Sequence, residues 1–230
     1  MTGADVDWVA EALFTRHLDN AGDVIDAGAN IGYYSAYVAP CIHHVWAFEP
    51  DPRVLTALRK NALRRPNITV IDKALFSKPG TMHLDVDARP EVNSLVAAQP
   101  TGAATIEVAV ESIDHFTSSL PEIRITGIKI DVEGRDMDVL SGASETIVRD
   151  QTLVLTEFNI DERGINDEAE LIRFAAAIGC GMFGFIRSPG LRRPRYQMRR
   201  LGDDGFALSE CKMIFLVPPR LKQAFESEIL

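Results

Sequence analysis

The chain has 230 residues, 46% of them hydrophobic and 25% charged, and carries a net charge of −9. That length suits one domain of α/β size with a core large enough to need no staples. The acidic balance argues against a general nucleic-acid binder, because neutralising phosphates needs a basic surface. Cys41, Cys180 and Cys211, three in number, far apart and without Cys-x-x-Cys spacing, are poor material for a disulfide framework or a zinc site and suit a reducing compartment.

Residues 1–20 mix Asp5, Asp7 and Glu11 with apolar positions. No positive segment precedes an apolar run there, so a signal peptide is not expected. Val6, Val9, Ala10, Leu13 and Phe14 instead fit one face of a helix. No run reaches the ~20 apolar residues of a membrane span, so a cytoplasmic protein with no membrane partner is expected. Val24 to Ala27 reads as a first strand and Ile31 to Ala39 as a helix. His44 to Phe48 is a second strand. Pro52 opens a helix reaching about Arg65, with Pro66 beyond its end. Ile68 to Leu75 is the third strand and Gly127 to Val132 the fourth, followed by a helix over Asp136 to Arg149. Leu153 to Phe158 is the fifth, and the helix Asp167 to Ile178 ends at Gly179. Apolar strands alternating with helices predict a parallel sheet covered on both faces.

Residues 78–124 break the alternation. Their β-like pieces, Met82 to Val86 and Thr105 to Val110, read as an insertion beside a ligand cleft. Residues 180–230 look β-rich, with Met213 to Val217 the clearest strand, and would supply an antiparallel edge. The whole of 1–230 is thus read as a single domain.

The chemistry concentrates in Asp26-Ala-Gly28-Ala-Asn30-Ile-Gly32 at the end of the first strand. Gly28 and Gly32 let the backbone turn sharply and approach a ligand. Glu49, 21 residues beyond Gly28, ends the second strand, where nucleotide-binding βαβ units place the acid that grips a ribose. A dinucleotide fingerprint would add a third glycine and bring a pyrophosphate to the helix N-terminus. Here Asp26 guards that entrance. It would repel phosphate and attract a cation, which favours S-adenosylmethionine over NAD.

Asp26 to Gly32, Ala47-Phe-Glu-Pro50, Ala74-Leu75, Asn93-Ser-Leu95, Ser112-Ile-Asp114 and Lys129-Ile-Asp-Val-Glu-Gly134 occur in this order. Together they closely resemble the FkbM-type methyltransferases, a branch of the class I S-adenosylmethionine-dependent enzymes. The resemblance covers about Asp23 to Asn159. It implies a Rossmann-like seven-stranded, mostly parallel fold and O-methylation, commonly of sugar or natural-product hydroxyls. Arg135-Asp136 departs from the family pattern, and the C-terminal third carries none of its motifs.

Matching positions assign Asp26, Gly28, Asn30 and Gly32 to the methionine end of the cofactor, with Ser35 reaching its carboxylate. Glu49 would take the ribose hydroxyls, and Asp72 and Ala74 would neighbour the adenine. Lys129, Asp131 and Glu133 alternate along the fourth strand, and ionisable residues on an apolar strand are costly unless they work or pair. Asp131 or Glu133 would serve as base or as a ligand for Mg²⁺, with Glu157 and Asn159 at the next strand end; a Lys129–Asp131 pair that merely orders the loop is the structural alternative. Asn93, Ser94 and His115 are expected on the acceptor side. The basic run Arg187, Arg192, Arg193, Arg195, Arg199 and Arg200 reads as a lid, an anion site, a subunit contact or a solvated loop. The expected partner is a small-molecule or glycan hydroxyl, with room for a homodimer. An NAD-dependent oxidoreductase, a methyltransferase of phenolic or polyketide products, and a cofactor-binding protein without turnover are the competing readings.

Overall fold

The computed structural model describes residues 4–85, 94–96, 105–132, 134–157, 168–188, 195–202, 211 and 213–229. Helix α1 (Ala4–Arg16) leads into β1 (Asp23–Ala27), whose five residues are all buried. Helix α2 (Tyr33–Val38) begins two residues later than its apolar pattern suggests, because Gly32 before it is left-handed (φ 83°). After β2 (His44–Phe48) comes α3 (Pro52–Ala62), with Pro52 in its first turn and Asp51 accepting from the Arg53 amide as N-cap. Val54, Leu55 and Leu58 form its buried stripe.

The expected third strand is divided. Ile68–Ile71 (β3) pairs with β2, whereas Ala74–Leu75 (β4) turns away into a second sheet. That sheet takes β5 (Gly80–Asp85), β6 (Ser94–Val96) and β7 (Thr105–Glu111), in the order β4-β7-β5-β6. The irregular stretch therefore builds a small layer with its own apolar cluster, Ala74, Leu84, Val108 and Val110. Helix α4 (Ile113–Ser118) starts under a Ser112 cap and leads to β8 (Ile125–Ile130).

The helix expected over 136–149 is two, α5 (Asp136–Ser141) and α6 (Ser144–Asp150). Gly142 caps α5 where the chain passes the small layer, and a Cβ there would lie 2.3 Å from the Phe76 carbonyl oxygen, so only glycine fits at the break. The Asp114 carboxylate accepts from the amides of Glu145 and Thr146 at the start of α6. Then follow β9 (Leu153–Glu157), α7 (Glu168–Ala177), β10 (Gly181–Ser188), β11 (Arg195–Arg200), β12 (Met213–Val217) and α8 (Lys222–Glu226).

The main sheet has eight strands in the order β11-β10-β12-β9-β8-β1-β2-β3, one more than the seven expected. β3, β2, β1, β8 and β9 run parallel; β12 is antiparallel to β9 and to β10, and β11 is antiparallel to β10. Successive residues feed opposite layers: Ile25, Ile128 and Val154 pack with Val139, Leu140 and Leu171, while Val24 and Leu155 pack with Phe14, Tyr34 and Phe215. Both faces are thus covered, as near-continuous apolar strands require. No described helix is long and apolar enough to cross a membrane.

Candidate functional site

Crossovers on both faces leave the carboxyl edge of the parallel strands open, and ligands of such sheets bind there. At that edge β1 ends in a turn with Gly28 (φ 77°), Asn30 (φ 49°) and Gly32 (φ 83°) all left-handed. A Cβ on Gly28 would stand 2.0 Å from the Asp131 carbonyl oxygen, and one on Gly32 2.5 Å from a Leu58 methyl. Asn30 is the one non-glycine of the three, a residue that tolerates this conformation. The Gly28 and Ala29 amides donate to the Phe48 carbonyl, tying the turn to the end of β2.

Glu49 follows directly. Its two carboxylate oxygens accept from the amides of Asn30 and Asp51, each at 2.8 Å. It is buried, and desolvation raises its pKa above the ordinary carboxylate range despite those donors. Each oxygen retains lone-pair capacity, so the carboxylate is oriented with acceptors to spare.

Asp26 is 1% exposed. Its Oδ2 accepts from the Ser35 hydroxyl at 2.5 Å, while its Oδ1 has no hydrogen-bond partner among the described residues. Burial raises its pKa, and the Lys129 charge beside it in register on β8 opposes the rise. Ser35 is fully buried with its hydroxyl committed to Asp26. In this structure the hydroxyl expected to reach a ligand carboxylate holds Asp26 instead.

Lys129 lies on the face of β8 turned toward α1 and α2. Its ammonium is 3.0 Å from Asp131 Oδ2, 4.0 Å from Glu11 Oε1 and 5.6 Å from the centre of the Tyr34 ring. Burial works against this charge, but the surrounding carboxylates win and its pKa is raised. Lys129 is therefore a fixed cation and not a proton acceptor. Asp131 stands just past the end of β8, its amide donating to the Ala27 carbonyl at 3.0 Å.

A cavity of about 380 Å³ opens over this group, lined by Trp8, Glu11, Tyr33, Lys129, Asp131, Glu157 and Met213. It brings together Lys129, Asp131 and Glu157 from the sequence-predicted set. Trp8, Glu11, Tyr33 and Met213 are additions that no motif signalled. Asp26 and Glu49 do not line it and lie on the cofactor-loop side. Glu133, Asn93 and Asn159 fall outside the described residues, as does the side chain of Ser94. Among the described residues no three His, Cys, Asp or Glu side chains group as metal ligands.

Other expected residues are placed elsewhere. Asp72, just past β3, is exposed and pairs with Arg59 at 3.1 Å. Ala74 is buried in the apolar cluster of the small layer. His115 Nδ1 lies 2.7 Å from Glu111 Oε1, and Lys73 contacts the other oxygen at 3.0 Å. This trio is built on β7, α4 and the β3–β4 link, and His115 does not line the cavity. Of the arginine-rich segment, Arg187 and Arg195 belong to the strand ends where β10 and β11 pair, on the same edge as Glu157. Arg199 and Arg200 lie at the opposite end of β11, and Arg192 and Arg193 are outside the described residues.

The chain is 24% identical over 145 residues to "Methyltransferase 1" of Beauveria bassiana, and 29% identical over 127 residues to the "Hexuronic acid methyltransferase AglP" of Haloferax volcanii. Each match covers 53% of this chain, and 58% and 50% of the relative, so the chain spans about half the length of these curated relatives. Among solved structures, the FkbM methyltransferase of Methylobacillus flagellatus superposes with a TM-score of 0.55 at 15% identity, over 93% of this chain and 60% of that one. An O-methyltransferase of Bacillus cereus in complex with SAH gives 0.50 at 11% identity, over 95% and 82%. These likenesses show the fold. The family model described as "Methyltransferase FkbM domain" matches residues 26–188, well over half of the chain, and the chain belongs to that family.

Proposed function

We propose that this chain transfers a methyl group from S-adenosylmethionine to a hydroxyl of a sugar or related small molecule. The observation that carries the reading is the left-handed turn Gly28–Gly32 with Glu49 fixed beneath it by two backbone amides, next to a cavity whose described walls hold Asp131 and Glu157. The residues fit such a cofactor. Glu49 is oriented to accept both ribose hydroxyls, and the buried Asp26 makes the loop hostile to a pyrophosphate but not to a sulfonium with an ammonium group. The cofactor, when bound, supplies the methyl group and its leaving sulfur.

The chain's own part is to position the hydroxyl and take its proton. Lys129, already cationic, holds the Asp131 carboxylate in place at 3.0 Å. Asp131 is the base we assign, with Glu157 at the neighbouring strand end as the second carboxylate in reach of the cavity. Mg²⁺ on Asp131 and Glu157 is an optional aid of the same reading, since oxygen ligands suit that ion. The methyl-transfer reading is preferred to hydride transfer for its acidic loop. The sugar acid named for the Haloferax relative is in keeping with a sugar-type acceptor, and the O-methyl transfer named for the Bacillus protein with an oxygen as the methylated atom.

Calorimetric titration with S-adenosylmethionine and with NAD separates the two enzyme classes. Binding of the former alone is expected, and tight NAD binding would overturn the proposal. Methyl transfer onto a panel of sugars, oligosaccharides and phenols, read by mass, then identifies the acceptor; a chelator followed by Mg²⁺ decides the metal. Glu49→Gln removes one charged acceptor and turns an amide donor toward a backbone N–H. We expect S-adenosylmethionine to bind ~10–100-fold more weakly, the weight of a charged hydrogen bond. Because burial raises the Glu49 pKa, wild-type affinity should also fall on acidification from above the usual carboxylate range, and the Gln variant should not show this fall.

A further inference from the structure

Trp8 and Glu11, three residues apart on α1, share one helix face, and both line the cavity. Neither lies within the family-matched span of 26–188, and nor does Met213 on the same wall. The helix is firmly seated: Ala10, Leu13 and Phe14 are buried in the core, Thr15 meets the Tyr34 hydroxyl at 3.4 Å, and Arg16 pairs with Glu228. Yet Trp8 remains 57% exposed, and Tyr33, on the same cavity, 65%. Large aromatic side chains left uncovered at a cavity mouth offer apolar faces to a ligand. The cavity's remaining described walls offer three carboxylates and a single ammonium, so they suit hydroxyl donors and resist an anion.

Resting on the methyl-transfer reading, we infer that Trp8 is the acceptor-stacking, specificity-determining residue of this chain, and that the acceptor is an uncharged polyhydroxylated ring. The apolar C–H face of the ring lies on the Trp8 indole while its hydroxyls turn to the carboxylates. Helix α1, outside the span common to the family, thereby sets which acceptor is taken. A uronate, the acceptor class named for the Haloferax relative, is disfavoured here by Glu11, Asp131 and Glu157.

The test uses methyl α-glucopyranoside and the matching glucuronide as probes. The chain has two tryptophans, and Trp46 donates its indole N–H to Asp23 at the opposite edge of the sheet, so a fluorescence change on adding the glucoside reports Trp8. This binding readout does not depend on turnover, and S-adenosylmethionine titration checks the underlying reading separately. We expect Trp8→Ala to weaken glucoside binding ~10-fold and raise its KM equally, with kcat and cofactor affinity within ~2-fold. Trp8→Phe should restore most of the loss, and Glu11→Gln should narrow the preference for glucoside over glucuronide. Unchanged glucoside binding in Trp8→Ala, or a wild type that binds the glucuronide as well as the glucoside, overturns the inference.

Discussion

Gly28→Ala is expected to lose about 3 kcal/mol of stability, roughly 10 °C in Tm, and to abolish measurable S-adenosylmethionine binding. Two costs add. The left-handed φ of 77° charges any L side chain about 1–2 kcal/mol. The new Cβ would also stand 2.0 Å from the Asp131 carbonyl oxygen, a backbone atom with no rotamer to yield. Relief requires the β1 turn to part from the end of β8, although the Asp131 amide is bonded to Ala27. That movement separates the cofactor loop from the segment carrying Lys129 and Asp131, so binding should suffer more than stability. Gly134→Ala is the comparison. Its φ is 85°, but nothing lies within 4 Å of its would-be Cβ, so only the backbone cost of ~1 kcal/mol is expected. Thermal unfolding and calorimetric titration of the two variants check both halves. Equal effects in both would refute the close-approach argument.

This contrast bears on what the sequence could convey. The turn was legible because Gly28, Asn30 and Gly32 are the residue types that left-handed backbone selects, and Glu49 because its distance from them follows from the length of a helix and a strand. Lys129 and Asp131 announced themselves by charge on an apolar strand. The cavity's other walls did not. Trp8 and Glu11 sit in a stretch that reads only as an amphipathic helix, and Met213 is one apolar residue among five. Their meeting depends on α1 packing against β9 and β12, a long-range arrangement that no local spacing records.

The same limit explains the divided elements. Ile68 to Leu75 is uniformly strand-like, and the break at Asp72-Lys73 appears only because Ala74 finds partners in a second sheet. Gly142 caps α5 against a carbonyl oxygen on a distant loop, where only glycine fits. Ser35 illustrates the point within the site: one turn into α2, it faces Asp26 or a ligand according to a helix rotation that the sequence leaves open. The eighth strand, β11, is rich in arginine and has little of the apolar alternation that reveals a sheet edge.

Lys129→Met should be the most costly change at the site, at about 3–5 kcal/mol. The ammonium is buried and shared: Asp131 is bonded to it, Glu11 is 4.0 Å away, and Asp26 lies beside it in register. Methionine fills a similar volume, so packing is spared and the loss is electrostatic. Asp131, partly open to water, can rehydrate; Asp26 cannot. Without the lysine, the rise that desolvation imposes on the Asp26 pKa loses its largest opponent, leaving only the hydrogen bonds from Ser35. The folded variant then keeps a proton that the unfolded chain has released, so its stability falls as pH rises through the carboxylate range and returns on acidification. The sign is the same for Lys129 itself, in a more alkaline window. Its raised pKa contributes stability that is fully present below the ordinary lysine value and lost at more alkaline pH, a loss the variant no longer shows. Adding Asp26→Asn to Lys129→Met removes the stranded carboxylate and should restore more than half of the lost stability, while Asp26→Asn alone should stabilise or destabilise far less than the lysine change. Denaturant unfolding of wild type, both single variants and the double variant between pH 5 and pH 8 measures the coupling directly. A Lys129→Met protein as stable as wild type at pH 8 would show that the buried cluster is held by something other than this charge.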